Sequence, residues 1–364
     1  MGQIITGSTP STKDSGNYSS NDYCFIKPSD LPINNIGRIS FSEYYLSNKG
    51  YKLSRHLPKG TVLVSCIGSI GKIGILEVEA TCNQQINAII PNINIDSCYL
   101  AYSIYSIKEE MIRKANAPVV PIINKTDFSS FQVPVPPKEV QIKIVTELDS
   151  ISESITLLQK QVNDLDCLAH SIFYDMFGDP VENEKNWSVK ILKDVSTLLN
   201  GRAYKQDELL SEGKYKVLRV GNFFTNSSYY YSDLELEENK YCNKGDLLFA
   251  WSASFGAFIW SGEKVIYHYH IWKVLYDKSF LNIVFYQYLL NLMTNSFMKD
   301  LHGIGMMHLT KVGMEQYKLP IPPLSLQQSF ANKIAAIEES KASLNAQIAE
   351  MQNLLAARMQ YWFE

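Results

Sequence analysis

The stretch QVPVPPKEVQIKIVTEL, from Gln132 to Leu148, puts a pair of prolines between the end of a strand and the start of a helical pattern. Apolar residues then recur in steps of three and four, the spacing of a helix with one apolar stripe. No Gly or Pro interrupts 138–177, so the pattern predicts one helix of about 40 residues, roughly 60 Å long. The stripe consists of Ile142, Val145, Leu148, Ile151, Ile155, Leu158, Val162, Leu165, Leu168 and Ile172.

The same signature returns 186 residues later (318 against 132) as KLPIPPLSLQQSFANKI. The two helical patterns align without a gap as far as Phe177 and Phe363. Long helices with narrow apolar stripes pack on one another, so the sequence predicts an antiparallel coiled coil. The matched stripe positions include Leu148 with Ile334, Ile151 with Ile337, Leu158 with Leu344, and Leu165 with Met351.

A strand-rich globule precedes each helix, and the two globules also align. Segments 59–90 and 244–275 both open with Lys-Gly, continue as a short apolar strand, and break at a turn of small residues before further strands. The predicted fold is α+β with an internal pseudo-two-fold repeat. Two strand-rich domains, 1–137 and 179–323, are expected to be separated by two long helices, 138–178 and 324–364.

One asymmetry distinguishes the two halves. The second begins with WSVKILKDVSTLLNG, which predicts a strand and a short helix ahead of Gly201, whereas only MGQIIT precedes Gly7. Two explanations are open. Either the C-terminal tail supplies part of the first globule's lead-in, or the chain starts late.

The composition is that of a globular protein, with 46% hydrophobic and 20% charged residues. No run of about 18 apolar residues occurs, and the opening MGQIITGSTPSTKDSG lacks the basic and apolar regions of a signal peptide. The six cysteines form no C-x-x-C pair, which favours buried thiols in a reducing cytosol over disulfides or a zinc site. We therefore expect a cytoplasmic protein without a membrane segment.

The net charge of −3 gives no overall basic signature. Residues 1–137 carry a net charge of +2 and residues 138–176 a net charge of −4. Any binding to nucleic acid must therefore use local faces of the molecule, or share the charge with a partner.

Catalytic motifs are absent from the sequence. GSIGKIG (68–74) has the wrong glycine spacing for a phosphate-binding loop, and it predicts a tight turn that presents Lys72. No Gly-rich fingerprint follows a strand at the spacing of a Rossmann fold, and no Pro-Pro-aromatic box for amino-methylation occurs. No convincing carboxylate-and-lysine nuclease constellation is present either. These observations disfavour an enzyme.

The order of these segments resembles the specificity subunit of Type I restriction–modification enzymes. The phrases GSTPST, FIKPSDL, GSIGKIGI, CNQQINAI, VPVPPKEVQIKIV and FGDPVENEKNW carry the resemblance across essentially the whole chain. It implies a non-catalytic reader of double-stranded DNA with two target recognition domains, each reading half of a split sequence. It also implies that S-adenosylmethionine, ATP and Mg belong only to partners, namely two methyltransferase subunits and, where restriction is retained, restriction/translocase subunits. Their docking would use the helices that carry Leu148, Ile151, Leu158, Leu165, Ile334, Ile337, Leu344 and Met351.

The candidate DNA contacts are polar or basic residues near predicted turns, because Asn and Gln pair with adenine and Lys and Arg with guanine. In the first globule they are Ser8, Thr9, Lys27, Ser69, Lys72, Asn83, Gln84, Gln85 and Asn87. In the second globule they are Arg202, Tyr204, Lys205, Arg219, Asn222, Ser252, Ser254, His268, His270, His302, His308 and Lys311.

His268 and His270 are two residues apart, so in a strand both would point to one face. Three interpretations are open for the pair: contact with DNA, packing in a core, and a metal site. No Cys or carboxylate cluster flanks the pair, which disfavours the metal.

Two other functions are compatible with the sequence. The near-neutral charge is compatible with a coiled-coil scaffold whose globules bind proteins, although duplicated and diverged globules favour a reader. A self-contained methyltransferase or nuclease is the third possibility, and the missing cofactor motif disfavours it.

Overall fold

The computed structural model describes residues 2–115, 120–224, 227–299 and 309–363. The chain forms two compact units, and each of the two long helices contributes to both. Unit 1 contains the residues up to Lys160 together with those from Asn345 onward, and unit 2 contains Gln161–Leu344.

Unit 1 is built on a five-stranded sheet, in the order β1-β8-β5-β6-β3, and a three-stranded sheet, in the order β4-β2-β7. Runs of branched apolar residues, such as VLVS and IGIL, explain the strands, because such side chains suit a pleated and buried surface. Its strands are β1 (Gly2–Thr6), β2 (Tyr23–Ile26), β3 (Ile36–Ile39), β4 (Tyr45–Leu46), β5 (Val62–Ser65), β6 (Ile73–Leu76), β7 (Ala80–Cys82) and β8 (Ile86–Pro91). Its helices are α1 (Asn48–Lys52), α2 (Ser97–Ser106), α3 (Lys108–Lys114), α4 (Lys125–Ser130) and the first part of α5 (Lys138–Phe177).

Unit 2 contains two four-stranded sheets, in the orders β10-β17-β14-β15 and β12-β11-β16-β13, and a two-stranded sheet of β18 and β9. Its strands are β9 (Ser188–Ile191), β10 (Ser196–Asn200), β11 (Tyr215–Leu218), β12 (Tyr230–Ser232), β13 (Tyr241–Cys242), β14 (Leu247–Ser252), β15 (Ser254–Ile259), β16 (Val265–Tyr267), β17 (Ile271–Tyr276) and β18 (Lys318–Ile321). Its helices are α6 (Leu192–Val195), α7 (Gly221–Phe224), α8 (Ile283–Lys299), α9 (Lys311–Glu315) and the first part of α10 (Leu324–Phe363).

The two units repeat one topology. In unit 1, β1 pairs with β8, β8 with β5, and β5 with β6, all antiparallel; in unit 2, β10, β17, β14 and β15 pair in the same succession. The second sheet of each unit contains one parallel pair, β2 with β7 and β11 with β16. The expected internal repeat is therefore confirmed at the level of strand order.

Both long helices have 40 residues, as the uninterrupted periodicity predicts. In unit 1, Arg358 donates through Nη2 to Glu147 (3.1 Å), and Lys143 lies 5.7 Å from the ring centre of Trp362. The residue with the lower number on α5, Lys143, contacts the residue with the higher number on α10, Trp362. The two helix segments therefore run antiparallel.

The helix segments of unit 2 are antiparallel as well. Lys341 donates to Asp166 (2.7 Å), and the rings of Phe173 and Phe330 lie 5.5 Å apart. The apolar stripe is less continuous than the sequence predicts, because Ile142 and Leu168 are exposed.

The lead-in of unit 2 has the predicted strand and short helix, β9 and α6. In the described part of unit 1, no strand corresponds to β9. The C-terminal end of α10 does supply part of the core of unit 1, where Met359 is buried and Phe363 lies 5.7 Å from the ring of Tyr99.

All six cysteines are free thiols, and the expectation that they are buried is wrong for Cys167, which is exposed on α5, and for Cys98, which is only partly buried. Among the described helices, none combines the length and hydrophobicity needed to cross a bilayer.

A buried glutamine fixes the start of each long helix. Gln141 accepts from the backbone N–H of Asp96 (2.9 Å) and donates to the carbonyls of Asn94 (3.1 Å) and Pro136 (2.9 Å). Gln327 repeats this arrangement with Asn282 (2.8 Å), Phe280 (2.8 Å) and Pro322 (2.8 Å). Each amide thereby connects its helix to the proline pair before it and to the segment that leads into α2 or α8.

We expect Gln327→Leu to lower the free energy of unfolding by about 3 kcal/mol, because it leaves three backbone groups without partners in a site where Gln327 is 0% exposed. The neighbouring Gln328 is exposed, so Gln328→Leu serves as the matched control, with an expected loss below about 0.5 kcal/mol. Urea denaturation measures both. Equal losses would contradict the role of the buried amide.

Candidate nucleic-acid interface

In unit 1, three residues between β7 and β8 form a turn held by backbone hydrogen bonds. The N–H of Asn83 donates to the carbonyl of Ile26 (3.0 Å), and the N–H of Ser8 donates to that of Cys82 (2.9 Å). The ends of β1 and β2 thus fix the turn from two sides. We call residues 83–85 the unit 1 turn.

The side chains of the unit 1 turn are ordered by one another. Asn83 donates through Nδ2 to Oε1 of Gln85 (2.8 Å) and accepts through Oδ1 from the N–H of Gln85 (3.1 Å). Gln84 is exposed at the tip, where its Oε1 accepts from the hydroxyl of Thr9 (2.5 Å). An exposed amide with a preset orientation, whose Nε2 has no partner among the described residues, is suited to pairing with a base edge.

Two predicted lysines lie beside this turn with internal partners. Lys27 places Nζ 3.0 Å from the ring centre of Tyr44. Lys72 donates to the carbonyl of Pro28 (3.0 Å) and is half-buried. Ser69 is exposed in the β5–β6 turn, where Gly68 has a φ of +75° that a side chain rarely adopts.

Two other predicted contacts of unit 1 are directed inward. Asn87 lies in β8, is 2% exposed, and accepts from the hydroxyl of Thr6 (2.7 Å). The hydroxyl oxygen of Ser8 is buried and has no hydrogen-bond partner among the described residues. Neither polar group reaches the surface, so the role of Asn87 and Ser8 as DNA contacts stays a prediction that this arrangement disfavours.

Unit 2 builds the same turn with other side chains. The N–H of His268 donates to the carbonyl of Leu218 (2.9 Å), and that of Arg202 donates to the carbonyl of Tyr267 (3.0 Å). The N–H of His270 donates to Nδ1 of His268 (3.4 Å), as Gln85 does to Asn83 in unit 1. We call residues 268–270 the unit 2 turn. It places His-Tyr-His where unit 1 places Asn-Gln-Gln.

Aromatic rings surround the unit 2 turn. Tyr269 takes the position of Gln84, is exposed, and lies 3.9 Å from the ring of His270 and 6.0 Å from that of Trp251. Trp251 donates through Nε1 to the carbonyl of Tyr269 (2.9 Å) and stacks 5.3 Å from Trp272. The turn therefore presents flat apolar faces together with imidazole nitrogens.

Two depressions meet at His270. One, of about 190 Å³, is also lined by Arg219, Asn222, Tyr230 and His268. The other, of about 420 Å³, is also lined by Trp251, Tyr269, Thr310 and Lys311. The exposed guanidinium of Arg219 lies 5.2 Å from the ring of Tyr230, much as Lys27 lies over Tyr44 in unit 1.

Two further residues that are predicted to contact DNA, Arg202 and Tyr204, have partners within unit 2. Arg202 donates to both carboxylate oxygens of Glu208 (2.8 and 2.7 Å), and this pairing lowers the pKa of Glu208 to about 2. Burial raises the pKa of Tyr204, whose hydroxyl is 3.5 Å from the carbonyl of Tyr267. Both side chains have partners within unit 2, so their role as DNA contacts stays a prediction that these partners disfavour.

The other candidates of unit 2 differ in exposure. Lys205 and Lys311 are exposed, and Lys311 lies 3.6 Å from Glu315. Ser254 is half-buried where β15 begins, and Ser252 is buried where β14 ends. His302 and His308 lie outside the described residues.

Burial, together with charge repulsion from His270 and Arg219, lowers the pKa of His268 to about 4. His268 is therefore neutral at pH 7. Its Nδ1 accepts from the backbone, so geometry assigns its proton to Nε2, which is a donor.

Sequence reasoning missed Tyr269 as a candidate. The spacing of His268 and His270 predicts a strand with alternating side chains. In such a strand Tyr269, which lies between them, would point to the opposite face. In the structure these residues form a turn, so Tyr269 joins its neighbours on one surface. The alignment of Tyr269 with Gln84, already visible in the repeat, was the signal that identifies it.

The helix residues predicted to dock partners divide into two groups. Leu148, Ile334 and Ile337 are buried in the cores of their own units, so they hold the helices in place, and their role in docking a partner stays a prediction. Five others are half-buried: Ile151, Leu158, Leu165, Leu344 and Met351. In the part of the chain that the structure describes, no three potential metal ligands cluster.

The family model of the Type I restriction modification DNA specificity domain matches residues 1–166 and 184–352. The chain belongs to this family. The family is defined by DNA specificity, so the role of this chain is recognition and not catalysis.

Curated relatives of this DNA specificity protein carry matching names. The MjaIX specificity subunit from Methanocaldococcus jannaschii is 26% identical over 386 residues, covering 97% of this chain and 88% of that protein. The HindI specificity subunit from Haemophilus influenzae is 29% identical over 207 residues, covering 55% of this chain and 39% of that protein.

Solved structures share the fold of this DNA specificity protein. The S subunit of a Type I restriction–modification system from M. genitalium has a TM-score of 0.53 at 12% identity, covering 100% of this chain and 94% of that one. A chain from a study of complex assembly and conformational transition in the type I R-M system has a TM-score of 0.54 at 16% identity, covering 84% and 82%.

The low pKa of His268 predicts a pH dependence of stability. Between its ordinary value of 6.5 and its folded value of about 4, the unfolded chain binds a proton at this imidazole that the folded chain does not. The free energy of unfolding should therefore fall as the pH is lowered from 6.5 to 4. We expect His268→Gln to lose less stability than the wild type over this interval, measured by urea denaturation at each pH. Identical acid sensitivity in the two proteins would contradict a neutral, half-buried His268.

Proposed function

We propose that this chain is the DNA-reading subunit of a Type I restriction–modification complex, in which each unit reads one half of a split double-stranded sequence. The observation that supports this most is the pair of equivalent turns. Both are held by the same backbone hydrogen bonds, yet one presents Asn-Gln-Gln and the other His-Tyr-His. Two domains that bind different half-sites require the same backbone arrangement with different side chains at the contact positions.

Side chains of the same type at equivalent positions of the two units are candidates for contacts with the DNA backbone. Side chains that differ between the units are candidates for contacts with the bases. Phosphate contacts carry no sequence information, whereas base contacts specify sequence. Lys27 and Arg219 occupy equivalent positions, each beside a tyrosine ring, and we assign them to phosphates. Gln84 and the unit 2 turn are assigned to base edges, with the amide of Gln84 suited to adenine and the neutral imidazole of His268 acting as a donor through Nε2.

The reactions of the complex belong to its partners. We propose that two methyltransferase subunits, and restriction/translocase subunits where restriction is retained, dock on the long helices. S-adenosylmethionine, ATP and Mg would be bound by those partners, and the complex would act in the cytoplasm. The net charge of −3 supports such sharing, because a chain with few surplus cations gains affinity for DNA from cationic partners.

Methylome sequencing tests this function directly. The chain is expressed with its neighbouring methylating subunit in a host that lacks both, and the same host without the chain is the control. We expect one split motif, with two short half-sites and a fixed gap, that is modified only when the chain is present. A soluble complex that modifies no chain-dependent motif would contradict the proposal and favour a scaffold.

We expect Arg219→Ala to weaken DNA binding by the assembled complex about 3- to 10-fold for matched and unmatched sequences alike, because one phosphate contact is lost. The slope of log affinity against log salt should become shallower by about 1. Lys244→Ala is the control, since Lys244 is exposed ahead of β14 and the turn contacts lie at the other end of that strand. A loss restricted to one sequence would instead assign Arg219 to a base.

A further inference from the structure

Unit 1 has a further cation, Arg55, beside its turn. In the segment ahead of β5, Leu57 forms an antiparallel bridge with Ala80, and extending this register by two residues places Arg55 opposite Cys82. Cys82 immediately precedes the unit 1 turn. Arg55 donates through Nη1 to the carbonyl of Thr6, the last residue of β1. Burial raises the pKa of the Cys82 thiol and the charge of Arg55 opposes this rise, as the position of the two residues requires.

Unit 2 has Lys240 in the equivalent position. Strand β13 is antiparallel to β16, with Tyr241 opposite Ile266, so the same register places Lys240 opposite Tyr267. Tyr267 immediately precedes the unit 2 turn. Lys240 donates through Nζ to the carbonyl of Asn200 (2.9 Å), the last residue of β10. The two cations thus lie at matching positions and donate to matching carbonyls.

A glycine follows each of these carbonyls and brings it close to the turn. A Cβ atom on Gly7 would clash with the carbonyl oxygen of Asn83, and a Cβ atom on Gly201 would clash with that of His268. Only a residue without a side chain allows the backbone to approach so closely. The end of the strand, the turn and the cation are therefore packed together in each unit.

An aromatic residue follows each cation and fixes the segment that carries it. In unit 1 this residue is His56, whose ring lies 3.9 Å from that of Tyr51, and Tyr51 lies 3.7 Å from the ring of Tyr23 in β2. In unit 2 it is Tyr241, whose ring lies 5.2 Å from that of Tyr215 in β11. Both segments are thus held in place by ring contacts that lead to the same strand of the repeat.

The two cations of each unit lie on opposite sides of the strand that leads into the turn. In unit 1, Lys27 directly follows β2, which pairs with one edge of β7, and Arg55 lies at the other edge. In unit 2, Arg219 directly follows β11, which pairs with one edge of β16, and Lys240 precedes β13 at the other edge. Two strand spacings separate the backbones of the two cations, about 10 Å. Each cation can therefore meet a phosphate of its own.

The charges of Arg55 and Lys240 are available to a ligand. Among the described residues, no carboxylate forms an ion pair with either of them, whereas Lys59 pairs with Glu77 (3.8 Å). A guanidinium and an ammonium each have several N–H donors, and in both residues a single donation, to the strand carbonyl, is described. The remaining donors suit an anion.

We propose that Arg55 and Lys240 each bind a phosphate of the DNA backbone beside the half-site that their unit reads. Together with Lys27 or Arg219, each cation places the turn between two contacts with the backbone and so fixes its register on the bases. The strand carbonyl orients the cation before DNA binds, and the contact to phosphate is a charge-assisted hydrogen bond. The inference rests on the proposed reading of DNA and adds one phosphate site to each unit.

Removal of the charge in the assembled complex tests these sites. Arg55→Gln and Lys240→Gln each keep a donor for the strand carbonyl, and they are made singly and together. Lys59→Gln is the matched control, because Lys59 is exposed at the end of the same segment that points away from the turn. DNA binding by the complex with its methylating subunit is measured over a range of salt concentrations, on DNA with and without its motif.

We expect each substitution to weaken binding about 3- to 10-fold on either DNA and to make the slope of log affinity against log salt shallower by about 1, or about 2 for the double variant. Lys59→Gln and the charge-conserving Arg55→Lys should keep the wild-type slope. The modified motif should stay the same, because phosphate contacts carry no sequence information.

An unchanged salt slope in the double variant would overturn the proposal even if affinity and thermal midpoint both fell, because a purely structural role leaves the number of neutralised phosphates the same. An altered motif would overturn it too, by assigning the cations to bases. If the wild-type complex modifies its split motif and the double variant keeps the wild-type slope, the phosphate sites alone are refuted. If the wild-type complex modifies no chain-dependent motif, the reading of DNA is refuted and these sites with it.

Discussion

The buried amide at the start of each long helix is the constraint on which the repeated frame depends. The buried side chains of Gln141 and Gln327 each satisfy three backbone groups, and in doing so they fix a helix to its proline pair and to the helix that packs on the sheet. Because both units contain this arrangement, each unit presents its sheet in the same relation to its own helix segments. A reader that is duplicated needs such a constant relation before its contact residues can diverge.

The two turns show what has diverged within this frame. Ser8 and Arg202 donate to equivalent carbonyls, and Asn83 and His268 donate to another equivalent pair, so the backbone of the turn is the same. The exposed tip is Gln84 in one unit and Tyr269 in the other. The backbone hydrogen bonds thus fix the position of each turn, and the side chains determine which groups the turn presents. This division allows one half-site to change without loss of the fold.

The sequence predicts the helices well because nothing interrupts their periodicity over 40 residues, and the repeat follows from their gap-free alignment. The surroundings of individual polar residues do not follow from the sequence in the same way. Asn87 belongs to a strand that is buried on both faces, so the alternation of side chains does not tell which of them reach the surface. The charge of Arg202 is paired with that of Glu208, six residues away. The roles of Gln141 and Gln327 were also missed, because a polar residue on a helix is ordinarily assigned to solvent. These features depend on tertiary contacts, which local spacing does not encode.

The most direct measurement of the central claim exchanges only the exposed chemistry of one turn. His268→Asn, Tyr269→Gln and His270→Gln together place the side chains of the unit 1 turn on the frame of unit 2, and the modified motif is determined by methylome sequencing beside the wild type. We predict that one half-site changes while the other half-site and the gap between them stay the same. An unchanged motif, or a change in both half-sites, would contradict the view that each turn reads its own half of the DNA sequence.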